Sequence, residues 1–248
     1  SLGAVMTALS LRDISMTFPD GTHAVQGINL EIEQGEFVTI VGPSGCGKST
    51  LLRIISGLQL PSSGQCDVDT SSLGYVFQDS VLLPWRNVQK NVELNAELQK
   101  MPKDQRQEAA QKAIHLVNLS GHESKYPHQL SGGMKMRCSL ARSLVSQPRV
   151  FLFDEPFGAL DEMTRERLND ELLNIFLQEK FAGLFITHSI QEAVFLSTRV
   201  IVMSSQPGRF ISEHTIDFPF PRLPDIRYSA EFAELCGRIS HDLKLANS

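Results

Sequence analysis

The sequence predicts an α/β fold with a parallel sheet, on three observations. Short apolar runs alternate with amphipathic stretches of helical period along most of the chain. One run, Val150-Phe151-Leu152-Phe153, is continuously apolar, as a strand covered on both faces has to be. Another, Phe37-Val38-Thr39-Ile40-Val41, leads straight into a glycine-rich loop and then a helical pattern, the order in which an α/β unit presents a ligand-binding turn.

In chain order, residues 9–33 read as strands broken at Pro19-Asp20-Gly21, a turn signal. The apolar run at 37–41 is the next strand. After the glycine-rich loop, Leu51, Leu52, Ile54 and Ile55 fall at spacings that a helix buries. Pro61-Ser62-Ser63-Gly64 marks a further turn, and Leu73-Gly74-Tyr75-Val76-Phe77 is a strand that delivers Gln78. Residues 102–118 place Ala110, Ala113, Ile114 and Val117 on one helical face, with Gly121 as the expected stop. The strand at 150–153 precedes a helix from about Glu162 to Lys180, then strands Leu184-Phe185-Ile186 and Val200-Ile201-Val202-Met203. The stretch Phe218-Pro219-Phe220-Pro221-Arg222-Leu223-Pro224 is expected to run extended over the surface before a short final helix. The chain shows no internal repeat and no low-complexity segment.

Composition narrows the function classes. Across 248 residues, 42% hydrophobic and 21% charged content is that of an ordinary globular chain. A net charge of −5 without a basic stripe argues against nucleic acid as partner. No apolar run approaches the ~18 residues that span a bilayer, and the N-terminus lacks the basic-then-apolar pattern of a signal peptide. Any membrane role is therefore expected to come through a partner. The chain opens on Ser1, and Met6 reads as the native start. Cysteines at 46, 66, 138 and 236 form no C-x-x-C pair, which suits a reducing compartment.

The glycine-rich loop, Gly42-Pro43-Ser44-Gly45-Cys46-Gly47-Lys48-Ser49-Thr50, fits the G-x-x-x-x-G-K-[ST] phosphate-binding pattern. Glycines 42, 45 and 47 are expected to let the backbone turn tightly and aim N–H groups at phosphate oxygens. The following helix adds the positive end of its dipole. Lys48 is expected at the β- and γ-phosphates of ATP and Ser49 on Mg2+. Cys46 fills a backbone position in the loop and is expected to make ATP binding sensitive to thiol reagents, because nearby N–H groups and Lys48 favour the thiolate. A second cluster, Leu130-Ser131-Gly132-Gly133-Met134, opens another helix behind a serine cap and reads as a second anion cradle. Two cradles with one lysine-bearing loop suggest a dimer that sandwiches each nucleotide. Asp154 and Glu155 stand at the end of a buried strand, where α/β sheets present ligands. Asp154 is expected to hold magnesium, and Glu155 to act as general base on the attacking water.

These motifs, in this order, resemble those of the ATP-binding subunits of ABC transporters, and the resemblance covers nearly the whole chain. It implies a RecA-like P-loop NTPase core with an N-terminal antiparallel β subdomain and an inserted α-helical signature subdomain. In that frame residues 42–50 are the P-loop, Gln78 the Q-loop, 130–134 the signature and 150–155 Walker B. Ala159-Leu160-Asp161 resembles the D-loop and His188 the switch histidine. Phe18 stands where the family stacks an aromatic on adenine, although a strand aromatic packed in the core is the other reading. The family pairs two subunits head to tail. Ser131 and Gly133 of one then face the γ-phosphate held by Lys48 of the other, His188 bridges γ-phosphate and water, Asp161 links the sites, and Gln78 senses magnesium and water. Met134 departs from the commonest signature, which has Gln; it flanks the cradle, so hydrolysis is expected to survive.

Gln78-Asp79-Ser80-Val81-Leu82-Leu83-Pro84-Trp85 and Ser204-Ser205-Gln206-Pro207-Gly208-Arg209 resemble the nitrate, sulfonate and taurine importer subfamily, and importers of pyrimidine precursors look similar. The resemblance implies a peripheral ATPase on the cytoplasmic face of the cell membrane, a second identical ATP-binding subunit, permease subunits contacted near Trp85, and an extracytoplasmic solute-binding protein acting indirectly. Trp85, the only tryptophan, is read as an interface anchor or as ordinary packing within its lobe. The segment from Pro61 to Tyr75 is shorter than usual for the subfamily, so the β lobe is expected to be trimmed there. The expected organisation is one domain over 1–248, with a core at about 1–77 and 148–215, a helical part at about 78–147 and a tail at about 216–248. A soluble ABC ATPase acting on nucleic acid or ribosomes is the alternative, disfavoured by the lack of a coiled-coil insertion or fused second half. A small-molecule kinase is disfavoured by the second cradle.

Overall fold

A computed structural model describes residues 6–45, 47–79 and 81–247. Two sheets organise the chain. Strands β1 (Thr7–Thr17), β2 (His23–Glu33) and β4 (Ser63–Val68) form an antiparallel sheet in the order β2-β1-β4. The larger sheet has the order β5-β6-β7-β3-β8-β9, with β3 at Phe37–Val41, β5 at Leu73–Phe77, β6 at Val150–Asp154, β7 at Ala182–Thr187, β8 at Arg199–Met203 and β9 at Phe210–Thr215. Its strands are parallel except β9, which runs antiparallel to β8 at the edge.

Period-2 alternation divides the core. Val38, Ile40, Val150, Leu152, Leu184 and Ile186 face helix α1 (Lys48–Ile55) and the inner side of the small sheet. Phe37, Phe151, Phe153 and Phe185 face the opposite way, towards α5 (Glu162–Glu179) and α6 (Ile190–Leu196). Both faces of the central strands β3, β6, β7 and β8 are therefore dry, which is why they read as unbroken apolar runs. Phe151 and Phe153, two apart and so on one face, stack at 4.6 Å between ring centroids. The helices α2 (Val88–Leu98), α3 (Lys103–Leu116) and α4 (Gly132–Leu144) pack against one another beyond the β5 side of this sheet.

Three local expectations are corrected. Ser63 and Gly64 belong to β4 rather than to a turn, and their strand completes the small lobe by pairing along Leu9–Ser15. Gly64, at φ 91°, lies against a bulge in β1 so closely that a Cβ there would meet Asp13 O at 2.3 Å, a position open to glycine alone. Helix α3 ends well before Gly121; the left-handed residue just after it is Asn118 at φ 60°, an asparagine doing what glycine usually does. The final helix α7 (Ala230–Ala246) has 17 residues and is not short. Its Phe232, Leu235 and Ile239 are buried in the main core, and Arg222 anchors the preceding Pro-rich stretch by donating to the carbonyls of Val194, Phe195 and Ser197 at the end of α6. No helix of the described residues is long and apolar enough to cross a membrane.

Candidate functional site

The C-terminal ends of four neighbouring strands converge. β3 delivers the glycine-rich loop, β7 delivers Thr187 and His188, β6 delivers Asp154 and Glu155, and β5 delivers Gln78. Ligands of open α/β sheets bind at this edge. A cavity of about 420 Å³ opens there, lined in part by Phe18, Ser44, Gly45, Gly47, Lys48, Ser49, Thr50 and Glu155. Gly45 and Gly47 are left-handed, at φ 78° and 96°. A Cβ on Gly47 would sit 2.6 Å from Ala24 O, so the loop packs on β2 only as glycine. Gly42 is not among the left-handed glycines. Its contribution is its carbonyl, which accepts from Lys48 Nζ at 2.5 Å. Cys46 lies outside the described residues.

Lys48 is 6% exposed, and its Nζ lies 3.7 Å from Glu155 Oε1. Among the described residues Gly42 O is its one hydrogen-bond acceptor. An ammonium has three donors, and a buried cation so thinly partnered is costly unless an anion completes it. The cavity in front of it is therefore built for negative charge. Glu155 has a left-handed backbone at φ 46°, a conformation costing roughly 1–2 kcal/mol for a residue with a Cβ. Its N–H donates to Ile186 O at 2.9 Å and its carbonyl accepts from Gly158 N–H at 3.2 Å, so the surroundings hold it there. Its Oε1 is 2.8 Å from His188 Nδ1, and the His188 side chain is 58% exposed.

Ser49 Oγ donates to Asp154 Oδ2 at 3.5 Å. Burial, then the charge of Glu155, push the Asp154 carboxyl up from the ordinary range. An added cation would relieve both effects. One hydroxyl and one carboxylate, both hard oxygen donors, suit Mg2+, which keeps waters and substrate phosphates as its other ligands. Gln78 is exposed, with its side-chain amide against Gly158.

Ser131, Gly132, Gly133, Met134 and Asp161 do not line this cavity. Ser131 caps α4, its Oγ accepting from Met134 N–H at 3.2 Å. Asp161 caps α5 and takes the Thr164 N–H and hydroxyl; the hydroxyl hydrogen bond above all holds its carboxyl below the usual range. The two caps are neighbours, since Cβ atoms on Gly132 and Gly133 would lie 3.2 Å from Leu160 and 3.1 Å from Thr164. Ser131 and Gly132 are exposed, an anion-seeking helix start with no anion site of its own chain in front of it.

The cavity also takes Thr22, His23, Ala24, Ile186 and Gln206, which sequence reasoning did not single out as site residues. Gln206 lies within the 204–209 segment, which is tied to β2 by Gln26 N–H on Gly208 O and Gly208 N–H on Ala24 O. Phe18 lines the cavity and packs half-buried against the core. Trp85 is 71% exposed beside Val81 at 69%, which removes ordinary lobe packing as its role. Its loop is nonetheless rigidly held. The fully buried Asn91 accepts from Leu83 N–H at 2.8 Å and donates to the carbonyls of Leu83, Arg86 and Asn87, while Arg142 donates to Val81 O at 2.8 Å.

Residues 25–158 match the family model described as ABC transporter. An uncharacterized ABC transporter ATP-binding protein of Methanocaldococcus jannaschii is 47% identical over 228 residues, 89% of this chain and 84% of that one. An aliphatic sulfonates import ATP-binding protein of Bacillus cereus is 41% identical over 225 residues, 86% of this chain and 88% of that one. Among solved structures, a dimeric ATP-binding cassette in a post-hydrolysis state, bound to ADP and Pi, superposes with a TM-score of 0.73 at 29% identity, covering 85% of this chain and 100% of that one.

Proposed function

The chain belongs to the ABC transporter family, and from that premise we propose that it is the ATP-hydrolysing subunit of a solute importer. The carrying observation is the single cavity that joins Lys48, Ser49 and Glu155, with His188 on the Glu155 carboxylate at 2.8 Å. Lys48 and the loop N–H groups hold the triphosphate, and Phe18 flanks the base. Ser49 and Asp154 hold magnesium, with Gln78 alongside; the metal supplies charge neutralisation on the phosphates. Glu155 takes the proton of the attacking water as its oxygen bonds to the γ-phosphorus. The bond to the β–γ bridging oxygen breaks, leaving ADP and phosphate. His188, steadied by Glu155, faces the γ-phosphate.

A second copy completes the site. The cap at Ser131, Gly132, Gly133 and Met134, exposed at Ser131 and Gly132, serves as an anion cradle for the second copy, and Asp161 lies beside it. The dimeric relative bound to ADP and Pi supports pairing of this kind. Hydrolysis by the purified chain is therefore expected to require magnesium and to rise per chain as protein concentration is raised through the dimerisation range. A magnesium-independent rate, or a rate per chain that is flat with concentration, counts against the reading.

The permease side is the rigid, exposed loop carrying Val81 and Trp85, within a helical arm that spans about residues 78–147. A rigid loop presenting an exposed aromatic has the character of an interface anchor. On this reading the subunit works at the cytoplasmic face of the membrane, where it meets the permease. Trp85→Ala is expected to leave the ATPase rate of the isolated chain within about twofold, because Trp85 touches nothing in the cavity, while weakening permease stimulation roughly tenfold or more. Loss of the basal rate in that variant would assign Trp85 a structural role. The cargo is a small solute of the sulfonate, taurine or nitrate type or a pyrimidine precursor, with sulfonate favoured by the Bacillus cereus relative's name.

A further inference from the structure

Helix α6 starts two residues after His188, and it carries a carboxyl for which the hydrolytic scheme has no task. Glu192 is 5% exposed. Ser189-Ile190-Gln191-Glu192 has the S-x-x-E pattern of a capping box, and Ser189 Oγ does accept from Glu192 N–H at 3.3 Å. In a capping box the glutamate side chain returns to the cap residue's own N–H. Here it does not. Thr187 is interposed: its Oγ1 accepts from Ser189 N–H at 3.0 Å and donates to Glu192 Oε1 at 2.6 Å. The three bonds close a ring around His188, engaging the residue on each side of it.

The ring matters because His188 has little else to place it. Among the described residues its one side-chain hydrogen-bond partner is Glu155, and more than half of the side chain is exposed. The backbone from 187 to 189 therefore sets where the imidazole stands, and Glu192 holds that backbone. The other Glu192 oxygen, Oε2, is buried without a partner, as is Asn169 Oδ1; the Asn169 amide lies against the Glu192 carboxyl. Turned so that its N–H faces Glu192, the Asn169 amide donates to the carboxyl, which relieves the unpaired Oε2 and ties it to the neighbouring helix. Burial pushes the Glu192 carboxyl up, against the Thr187 hydrogen bond, the Arg165 charge, the Asn169 hydrogen bond and the His188 charge. Asn169 sits on α5, the helix capped by Asp161.

We propose that Glu192 is a positioning residue for hydrolysis, holding the 187–189 turn, and with it His188, against Glu155 while tying that turn through Asn169 to α5. The inference rests on the switch role given to His188 above. Its test compares ATP hydrolysis by Glu192→Ala, Glu192→Gln, Thr187→Val, the Thr187→Val/Glu192→Ala pair and His188→Ala in the full chain, recording kcat, KM for ATP and the thermal midpoint of each. A misplaced group costs on the order of 100-fold, so Glu192→Ala is expected to lower kcat about 10- to 100-fold with KM within about twofold, since the P-loop is untouched. Glu192→Gln is expected to restore kcat to within about threefold, because its amide accepts from Thr187 and supplies a fixed N–H to Asn169. Thr187→Val is expected to match Glu192→Ala, and the pair to be no worse than the weaker single variant.

A near wild-type kcat for Glu192→Ala beside an inactive His188→Ala overturns the inference and leaves the functional reading standing. Wild-type turnover by His188→Ala overturns the reading itself. Losses that fall on kcat and KM together, or that track the thermal midpoint without rescue by Gln, make Glu192 purely structural and also overturn the inference. Should Glu192→Ala fail to fold, Thr187→Val and Glu192→Gln still decide it.

Discussion

Glu155→Gln is expected to lower ATP turnover about 1,000-fold, within the 10²–10⁴ range of general-base loss, while ATP binding stays close to wild type. The separation follows from where the carboxylate sits. Its Oε1 is shared between His188 Nδ1 at 2.8 Å and Lys48 Nζ at 3.7 Å, so it borders the lysine without forming part of the phosphate-holding loop. The amide keeps the shape and the left-handed backbone that Ile186 and Gly158 hold, but it cannot take a proton from water. It also removes one negative charge beside Asp154, a carboxyl already pushed up by burial and by Glu155, which lessens repulsion of the net-anionic magnesium–triphosphate complex. Bound but unhydrolysed ATP is expected to trap two chains face to face. Sedimentation of the variant with and without magnesium-ATP reads this directly. A dimer seen only with ATP supports the sandwich. A monomer at saturating ATP removes Ser131 to Met134 as a trans site or assigns closure to the permease, and wild-type turnover removes Glu155 as the base.

The catalytic strands were legible because the fold buries both faces of the large sheet. Phe37–Val41, Leu73–Phe77 and Val150–Asp154 carry enough apolar residues to be read without any knowledge of their partners. β4 and β9 were not legible for the opposite reason. Ser63–Val68 is largely exposed and Phe210–Thr215 half-exposed, so backbone pairing with β1 and β8, and no hydrophobic pattern, makes them strands. In α2 and α6 the buried Asn91, Glu93 and Glu192 interrupt the apolar stripe, and each is buried to hold other segments. The tail was misjudged in the same way: an arginine in a Pro-rich stretch reads as surface, yet Arg222 is 5% exposed because it closes the carbonyl end of α6. At the site, motif residues could be named from local patterns. Contacts between distant residues could not, and Glu155 with His188, Ser49 with Asp154, and Gln206 in the cavity wall are all of that kind.

Lys48→Ala is expected to weaken magnesium-ATP binding roughly 100-fold or more, since two charge-assisted hydrogen bonds at about 1.5–3 kcal/mol each are lost. The effect on the nucleotide-free protein should run the other way. Lys48 is 6% exposed with one carbonyl acceptor and a carboxylate at 3.7 Å, a partnership too thin to offset the burial of an ammonium. Removing it is therefore expected to leave the thermal midpoint without nucleotide unchanged or higher. The difference appears on adding ligand. At a concentration 100 times the wild-type Kd, ATP stabilises the wild-type fold by about 2.7 kcal/mol, and a variant with 100-fold weaker binding by only about 0.4 kcal/mol. A thermal-shift titration measures both ends at once. A fall in the nucleotide-free midpoint would mean that Lys48 is needed as a structural cation and that Gly42 and Glu155 satisfy it in full. An undiminished ATP-induced shift would mean that the cavity holds its anion by loop N–H groups alone, and the lysine would then have to act, if at all, in the chemical step.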